Sequence, residues 1–258
     1  MIDLSVDTRG VATLALARPE KHNALSQALI DALRTAATEI AADKSIRVVI
    51  LTGQGPSFCA GGDLGWMQDQ MAGDAAMKRA AAQSIAQMLG AINTLPQPVI
   101  GRVQGNAFGG GIGMACVCDV AIAVDDAKFG LTETKLGLIP ATIGPYVLAR
   151  MGEANARRVF MSGRLFDAAE AVTLGIIAKE VPADALDEAV DAEVTPYLQC
   201  APDAVAAAKA FARSLGPPID ESVIARSIDA LIAQWDGRSA KEGISAFFER
   251  RKPDWAVT

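Results

Sequence analysis

The sequence predicts an α/β fold whose core is a parallel sheet. Three observations predict it. Segments of strand character alternate with segments of helix character through the first half, which implies parallel pairing and right-handed crossovers. Residues 47–53, Arg47-Val48-Val49-Ile50-Leu51-Thr52-Gly53, are a continuous β-branched run, as in a strand buried on both faces. Residues 47–53 and 99–103 each run into a glycine-bearing turn and then a helix, so one local grammar occurs twice.

In chain order, residues 2–6 and 11–16 alternate or run apolar around Thr8-Arg9-Gly10, a hairpin signal. A polar loop with a proline follows at 17–25. Ser26 caps a helix whose apolar face is Leu25, Leu29, Leu33, Ala36, Ala37 and Ile40. After the strand at 47–53 comes the turn Gly55-Pro56-Ser57-Phe58-Cys59-Ala60-Gly61-Gly62-Asp63-Leu64. Residues 74–95 read as a long amphipathic helix ending before Pro96. Residues 99–103 are a buried strand, and 118–124 begin another. Beyond Pro140 the pattern turns helical. Asp167-Ala168-Ala169-Glu170 has capping-box spacing, with Gly175 as the stop, and 176–181 is a short strand. From Asp184 onward the chain is helical, broken at Pro202 and Pro217-Pro218. The last helix is expected to start at a capping box, Ser239-Ala240-Lys241-Glu242, and to carry Arg250, Arg251 and Lys252 in its last turn. Those bases either compensate the helix dipole or contact a ligand phosphate.

Composition excludes several classes. The 258 residues are 51% hydrophobic and 21% charged, enough for a sizeable core in one large domain or one domain with an appendage. No run of 18 apolar residues occurs, so no membrane span and no membrane partner is expected. Residues 1–7 carry acids where a signal peptide carries bases, which suggests a cytoplasmic protein in a bacterial setting. A net charge of -6 argues against nucleic acid as a partner. Cys59, Cys116, Cys118 and Cys200 make no metal pattern and read as buried free thiols. His22 is the only histidine, and no Gly-x-Ser-x-Gly elbow exists to build a triad with it; zinc sites of two or three histidines are excluded by count. No metal is expected.

The stretch that organises the chain is Gln104-Gly105-Asn106-Ala107-Phe108-Gly109-Gly110-Gly111-Ile112-Gly113. Glycines between a strand and a short helix let the backbone approach a ligand and leave helix-start N–H groups free to face an anion. The anion is a phosphate or the oxyanion of a reacting thioester or ester; the competing reading is a tight turn that needs glycine for packing.

Arg18-Pro19 with Asn23-Ala24-Leu25, Phe58-Cys59-Ala60-Gly61-Gly62-Asp63-Leu64, Gly105 to Gly113, Cys118-Asp119, Phe129-Gly130, Glu133, Leu136-Gly137-Leu138-Ile139-Pro140 and Phe247-Phe248-Glu249-Arg250-Arg251-Lys252-Pro253 stand in an order and spacing that resemble the enoyl-CoA hydratase/isomerase, or crotonase, superfamily nearly end to end. The resemblance implies a crotonase-like spiral of ββα turns over residues 1–195. It also implies a C-terminal α-helical region over 196–258 used for trimerisation, often in a dimer of trimers. The implied substrate is an acyl-CoA thioester, with no separate cofactor, and the implied oxyanion hole is the backbone N–H groups of Gly62 and Gly110.

Two glutamates usually flank the substrate double bond in hydratases of this superfamily. One falls on Glu133; the other falls on Gly113, which has no side chain. Members with one glutamate include double-bond isomerases and hydratases of branched glutaconyl-type esters. Flanked by Leu131, Leu136 and Leu138, Glu133 is expected to titrate above its solution value; its competing reading is an ion pair with Lys135. Gly65-Trp66-Met67-Gln68 and the stretch from Thr132 to Tyr146 look like bacterial methylglutaconyl-CoA hydratases of leucine breakdown. Lys135 or an arginine of a neighbouring subunit is then the candidate for a distal carboxylate. The same resemblance carries CoA contacts onto Arg18, Lys21 and Ala24 for the nucleotide end, Ala60, Asp63 and Leu64 for the pantetheine path, and Phe248 and Lys252 for a tail that closes on an adjacent subunit's nucleotide. Lys21 reads equally as a solvated surface base. Against a leading reading of 2-enoyl-CoA hydration stand Δ3,Δ2-enoyl-CoA isomerisation with Glu133 as sole proton shuttle, and non-catalytic acyl-CoA binding. An RNA-binding role is disfavoured by the acidic balance.

Overall fold

The computed structural model describes residues 1–257. Strands β1 (Ile2–Val6) and β2 (Val11–Leu16) form the antiparallel hairpin, and α1 (Gln27–Ala42) starts at Ser26, whose Oγ accepts from the Leu29 N–H at 3.4 Å. Next come β3 (Val48–Gly53), β4 (Ser57–Cys59), α2 (Leu64–Ala72) and α3 (Ala75–Asn93). They are followed by β5 (Val99–Val103), β6 (Asn106–Phe108) and α4 (Gly110–Val117), then β7 (Val120–Val124), β8 (Lys128–Gly130), a 3-10 turn at Glu133–Leu136 and α5 (Gly144–Phe160). Strand β9 (Leu165–Asp167), α6 (Ala168–Thr173) and β10 (Lys179–Val181) lead to α7 (Leu186–Leu198), α8 (Pro202–Ser214), α9 (Glu221–Trp235) and α10 (Arg238–Phe248).

The hairpin β1-β2 joins one sheet, and the pairs β3-β4, β5-β6 and β7-β8 each contribute one strand to each of two sheets before the chain turns helical. The larger sheet has the order β1-β2-β3-β5-β7-β10, parallel from β2 to β10; the smaller has the order β4-β6-β8-β9, parallel except at β9. This is the expected spiral of ββα turns. The core lies between the sheets and under α1, α3 and α4. Phe58 on β4 and Phe129 on β8 are fully buried in it, and Phe129 stacks on Phe166 with ring centroids 5.9 Å apart. Truncating either to alanine would cost about 3–5 kcal/mol.

The strands β4, β6 and β8 were not expected. Each has three residues, too few for alternation to show, and each exists because its neighbour in the smaller sheet supplies ladder partners. The expected boundary after residue 195 falls within α7, which packs on β5 and β7. Helix α8 is anchored by Lys209, whose ammonium lies 2.6 Å from Asp119 Oδ2 and also donates to the Gln97 carbonyl.

Two expectations at the C-terminus need correction. Helix α10 starts after Gly237 with no side-chain cap, so Ser239 lies within the helix and the 239–242 capping box does not form. Glu242 instead accepts both Nη groups of Arg251, at 2.6 and 2.9 Å. Residues 250–252 follow the helix rather than filling its last turn, and Arg251 is held by Glu242 and Glu249, not by the helix dipole. The Asp167 box forms by half: Asp167 accepts from the Glu170 N–H, while the Glu170 carboxylate is forked onto Arg164. Of the four cysteines, Cys200 is exposed and the other three are buried. Burial pushes the thiols of Cys59, Cys116 and Cys118 up to about 12, so they are unreactive. Among the described residues no helix is long and apolar enough to cross a membrane, and no His/Cys/Asp/Glu group could hold a metal ion.

Candidate active site

The two glycine turns meet because a short parallel bridge holds the first in place. Leu25 N–H donates to the Gly61 carbonyl at 2.7 Å, and Asp63 N–H donates to the Leu25 carbonyl at 2.9 Å. In such a bridge the N–H of Gly62 points away from Leu25. It has no protein acceptor among the described residues. Asp63 then caps α2, accepting from Gly65 and Trp66, and takes Arg18 Nη2 at 3.1 Å. Arg18 also donates to the Ala24 carbonyl at 2.8 Å, so one guanidinium ties the 18–25 loop to the 60–64 loop.

The second turn leaves β6 through Gly109, whose φ of 48° and ψ of -111° suit glycine alone. Gly110 is the first residue of α4 and its N–H has no partner within the helix. The turns are in contact: a β-carbon on Gly61 would lie 3.0 Å from the Phe108 carbonyl oxygen, and one on Gly110 would lie 2.6 Å from Leu25 Cδ1. Glu133 opens the 3-10 turn after β8 and directs its carboxyl to the start of α4.

A cavity of about 120 Å³ is lined by Gly62, Gly110 and Glu133 together. Its walls are mostly apolar, from Leu25, Met67, Ile85, Leu138, Ile143 and Leu231. Oε2 of Glu133 is shielded from solvent and has no hydrogen-bond partner. Burial pushes this carboxyl up to about 7, against a smaller opposing pull from its own backbone N–H. The upward direction is the expected one. Lys135 is exposed and makes no ion pair with Glu133. It also lies off the cavity wall.

Glu133 is the only carboxylate of the lining. Gly113 lies inside α4, and a β-carbon there would stand 2.8 Å from Ile143 Cγ2. The space a second acid would need is filled by an isoleucine that itself lines the cavity.

The remaining expected contacts divide in two. Arg18, Ala24, Ala60, Asp63 and Leu64 gather beside Gly62 through the Leu25 bridge, outside the cavity. Lys21 is exposed on the adjacent turn. Phe248 is partly buried against a cluster that includes Leu138, Ile228 and Ile244. Lys252 is exposed beyond α10 and off the cavity wall.

Sequence reasoning missed the outer half of the cavity: Gln70 on α2, Lys78 on α3, Thr142, and Trp235 on α9. One signal was available. Lys78, Ala81, Ala82 and Ile85 lie on one helical face, and two alanines in the middle of an apolar stripe leave room for a ligand.

Fold and site define a class: a ββα spiral in which two strand–glycine–helix turns face a single carboxyl group across an apolar cavity. The sequence pattern of the enoyl-CoA hydratase/isomerase family matches residues 7–257. The chain is 36% identical over 249 residues to the probable enoyl-CoA hydratase echA8 of Mycobacterium bovis, covering 95% of this chain and 94% of that one. It is 30% identical over 253 residues to a putative enoyl-CoA hydratase of Thermus thermophilus, covering 97% and 99%. A crystal structure of a putative enoyl-CoA hydratase from Mycobacterium avium paratuberculosis superposes with a TM-score of 0.87 at 31% identity, over 100% of both chains. The chain belongs to the enoyl-CoA hydratase/isomerase family.

Proposed function

We propose that this protein reversibly hydrates a 2-enoyl-CoA thioester, with the N–H groups of Gly62 and Gly110 as the oxyanion hole and Glu133 as the acid–base group. One observation carries the reading: two unpartnered main-chain donors and one desolvated carboxyl group share a small apolar cavity. The ionised Glu133 takes a proton from water as the water oxygen bonds to C3. The π electrons move to the thioester oxygen, whose charge the two N–H groups stabilise. The enolate then collapses, and C2 takes the proton back from Glu133. The product gains one water, and the enzyme returns to its starting state. Losing one such donor costs about 10²–10³ in rate.

The relatives' names as hydratases support this reading. Isomerisation is the second reading, favoured by the Ile143 side chain that fills the place of a second acid at Gly113. There Glu133 alone would carry a proton between C4 and C2. Glu133→Gln should lower turnover about 10²–10⁴-fold for either reaction; unchanged turnover would leave only acyl-CoA binding. Gly110→Pro, which removes the N–H itself, is the matching test of the oxyanion hole. The product, a 3-hydroxyacyl thioester or a shifted alkene, separates the two reactions.

The substrate we infer is 3-methylglutaconyl-CoA, as in leucine breakdown, in the cytoplasm and with no cofactor beyond the substrate's own CoA. The Arg18–Asp63 corner and Lys21 are the proposed path to the nucleotide. Self-association as a trimer or dimer of trimers is proposed through the C-terminal helices; α8 supports it, since it exposes Phe211 and is followed by the exposed Leu215.

A further inference from the structure

The end of the cavity farthest from α4 is polar. Gln70 is 95% buried, yet its Oε1 has no partner, and the indole Nε1 of Trp235 is buried and equally unpartnered. Lys78, with a side chain only 10% exposed, is the one cation of the lining. Buried polar groups without partners are rare in folded proteins, and each calls for an explanation such as a bound group, an ion or a water.

Two contacts bring these side chains to one place. Lys78 Nζ lies 3.0 Å from Asp236 Oδ1, and Asp236 directly follows Trp235. A β-carbon on Gly73 would meet the Met77 side chain, which joins the end of α2, three residues past Gln70, to the start of α3 at Lys78. That end is remote from the oxyanion turns. Leu89 of α3 reaches the wall of α4 at Gly113, and Ile85 lies one turn before it. Lys78 is a further roughly 10 Å along the same helix face. Met67 packs against Gly62, and Gln70 lies one turn farther along α2.

The free hydrogen-bonding capacity is mostly donor capacity. Lys78 has three N–H bonds and spends one on Asp236; the Trp235 N–H is unused; the Gln70 amide can present either end. Asp236 is 55% exposed, so it can return to water when another anion takes its place.

We propose that Lys78, Trp235 and Gln70 form a subsite that selects an acyl chain ending in a carboxylate over an alkyl chain of the same length. The proposal rests on the acyl-thioester reading above for its occupant. It assigns the distal carboxylate to residues of this chain rather than to Lys135 or a neighbouring subunit.

The test is binding of two inert saturated thioesters, glutaryl-CoA and pentanoyl-CoA, which differ by a carboxylate in place of a methyl group. Calorimetry on the wild-type protein should show glutaryl-CoA bound at least about tenfold more tightly, as buried charge pairs at interfaces typically give. Lys78→Met and Trp235→Phe should each reduce that ratio severalfold, through weaker binding of glutaryl-CoA. Asp236→Asn, which removes the competing carboxylate, should raise it. Equal affinities in the wild type, or a ratio indifferent to all three variants, would overturn the subsite. Failure of both thioesters to bind would overturn the acyl-thioester reading and the subsite with it. Because neither ligand reacts, the comparison does not depend on which reaction the enzyme performs.

Discussion

A β-carbon on Gly109 would stand 2.9 Å from Oε1 of Glu133. The carboxyl group is thus seated directly against the turn that starts α4, and the turn's backbone is one only glycine adopts easily. Gly109→Ala should therefore do two things. It should destabilise the fold by about 1–3 kcal/mol through backbone strain. It should also displace the Glu133 carboxyl and lower kcat far more than it raises KM. Thermal unfolding and steady-state kinetics on a 2-enoyl-CoA would check both.

The upward shift of Glu133 to about 7 sets the pH profile. The hydration step needs the ionised form, so kcat/KM should rise with pH and level off above about 7. A limb near the ordinary glutamate value would mean that the carboxyl is hydrated in solution.

The same shift makes the group a liability for stability. The folded state holds its proton to higher pH than the unfolded state does. Any contribution is therefore present below the unfolded value and lost as pH rises through about 7. Glu133→Gln removes that loss. The variant should be more stable than wild type at pH 8, by about 1–3 kcal/mol, and indistinguishable from it near pH 4. Denaturant melts at the two pH values measure this directly.

Arg18 and Asp63 are both largely buried, at 12% and 16% side-chain exposure, so their pair is not a surface ion pair. Burial alone would raise the Asp63 carboxyl, but the Trp66 N–H and Arg18 outweigh it and hold it below its ordinary value. Asp63→Ala removes a helix cap and the tie between the two loops that position Gly62. A double-mutant cycle with Arg18→Ala should give a coupling of about 1–3 kcal/mol. The single variants should lower kcat and also weaken thioester binding, since the same corner is the proposed path to the nucleotide.

How much of this was legible in the sequence depends on the range of the interactions. The Ser26 cap and the 47–53 strand are fixed by neighbours in sequence, and the chain announces them. The strands β4, β6 and β8 depend on one another across the smaller sheet and have no local signature. Ser239 and Glu242 have the right spacing for a cap, but Arg251 claims the glutamate first. Gly62 and Gly110 are recognisable as turn glycines, yet their meeting depends on the Leu25 bridge, and Glu133 beside Lys135 reads locally as a surface ion pair. The joining of Lys78 to the Trp235–Asp236 corner is longer in range still and left no trace in either segment.

Product analysis in water enriched in heavy oxygen tests the central claim most directly. Purified protein is incubated with a 2-enoyl-CoA and the thioester is read by mass spectrometry, beside Glu133→Gln. The account predicts a product heavier by one labelled water, with oxygen at C3, and a rate in the variant lower by about 10²–10⁴. A product with no added oxygen, or equal rates in the two proteins, would contradict it.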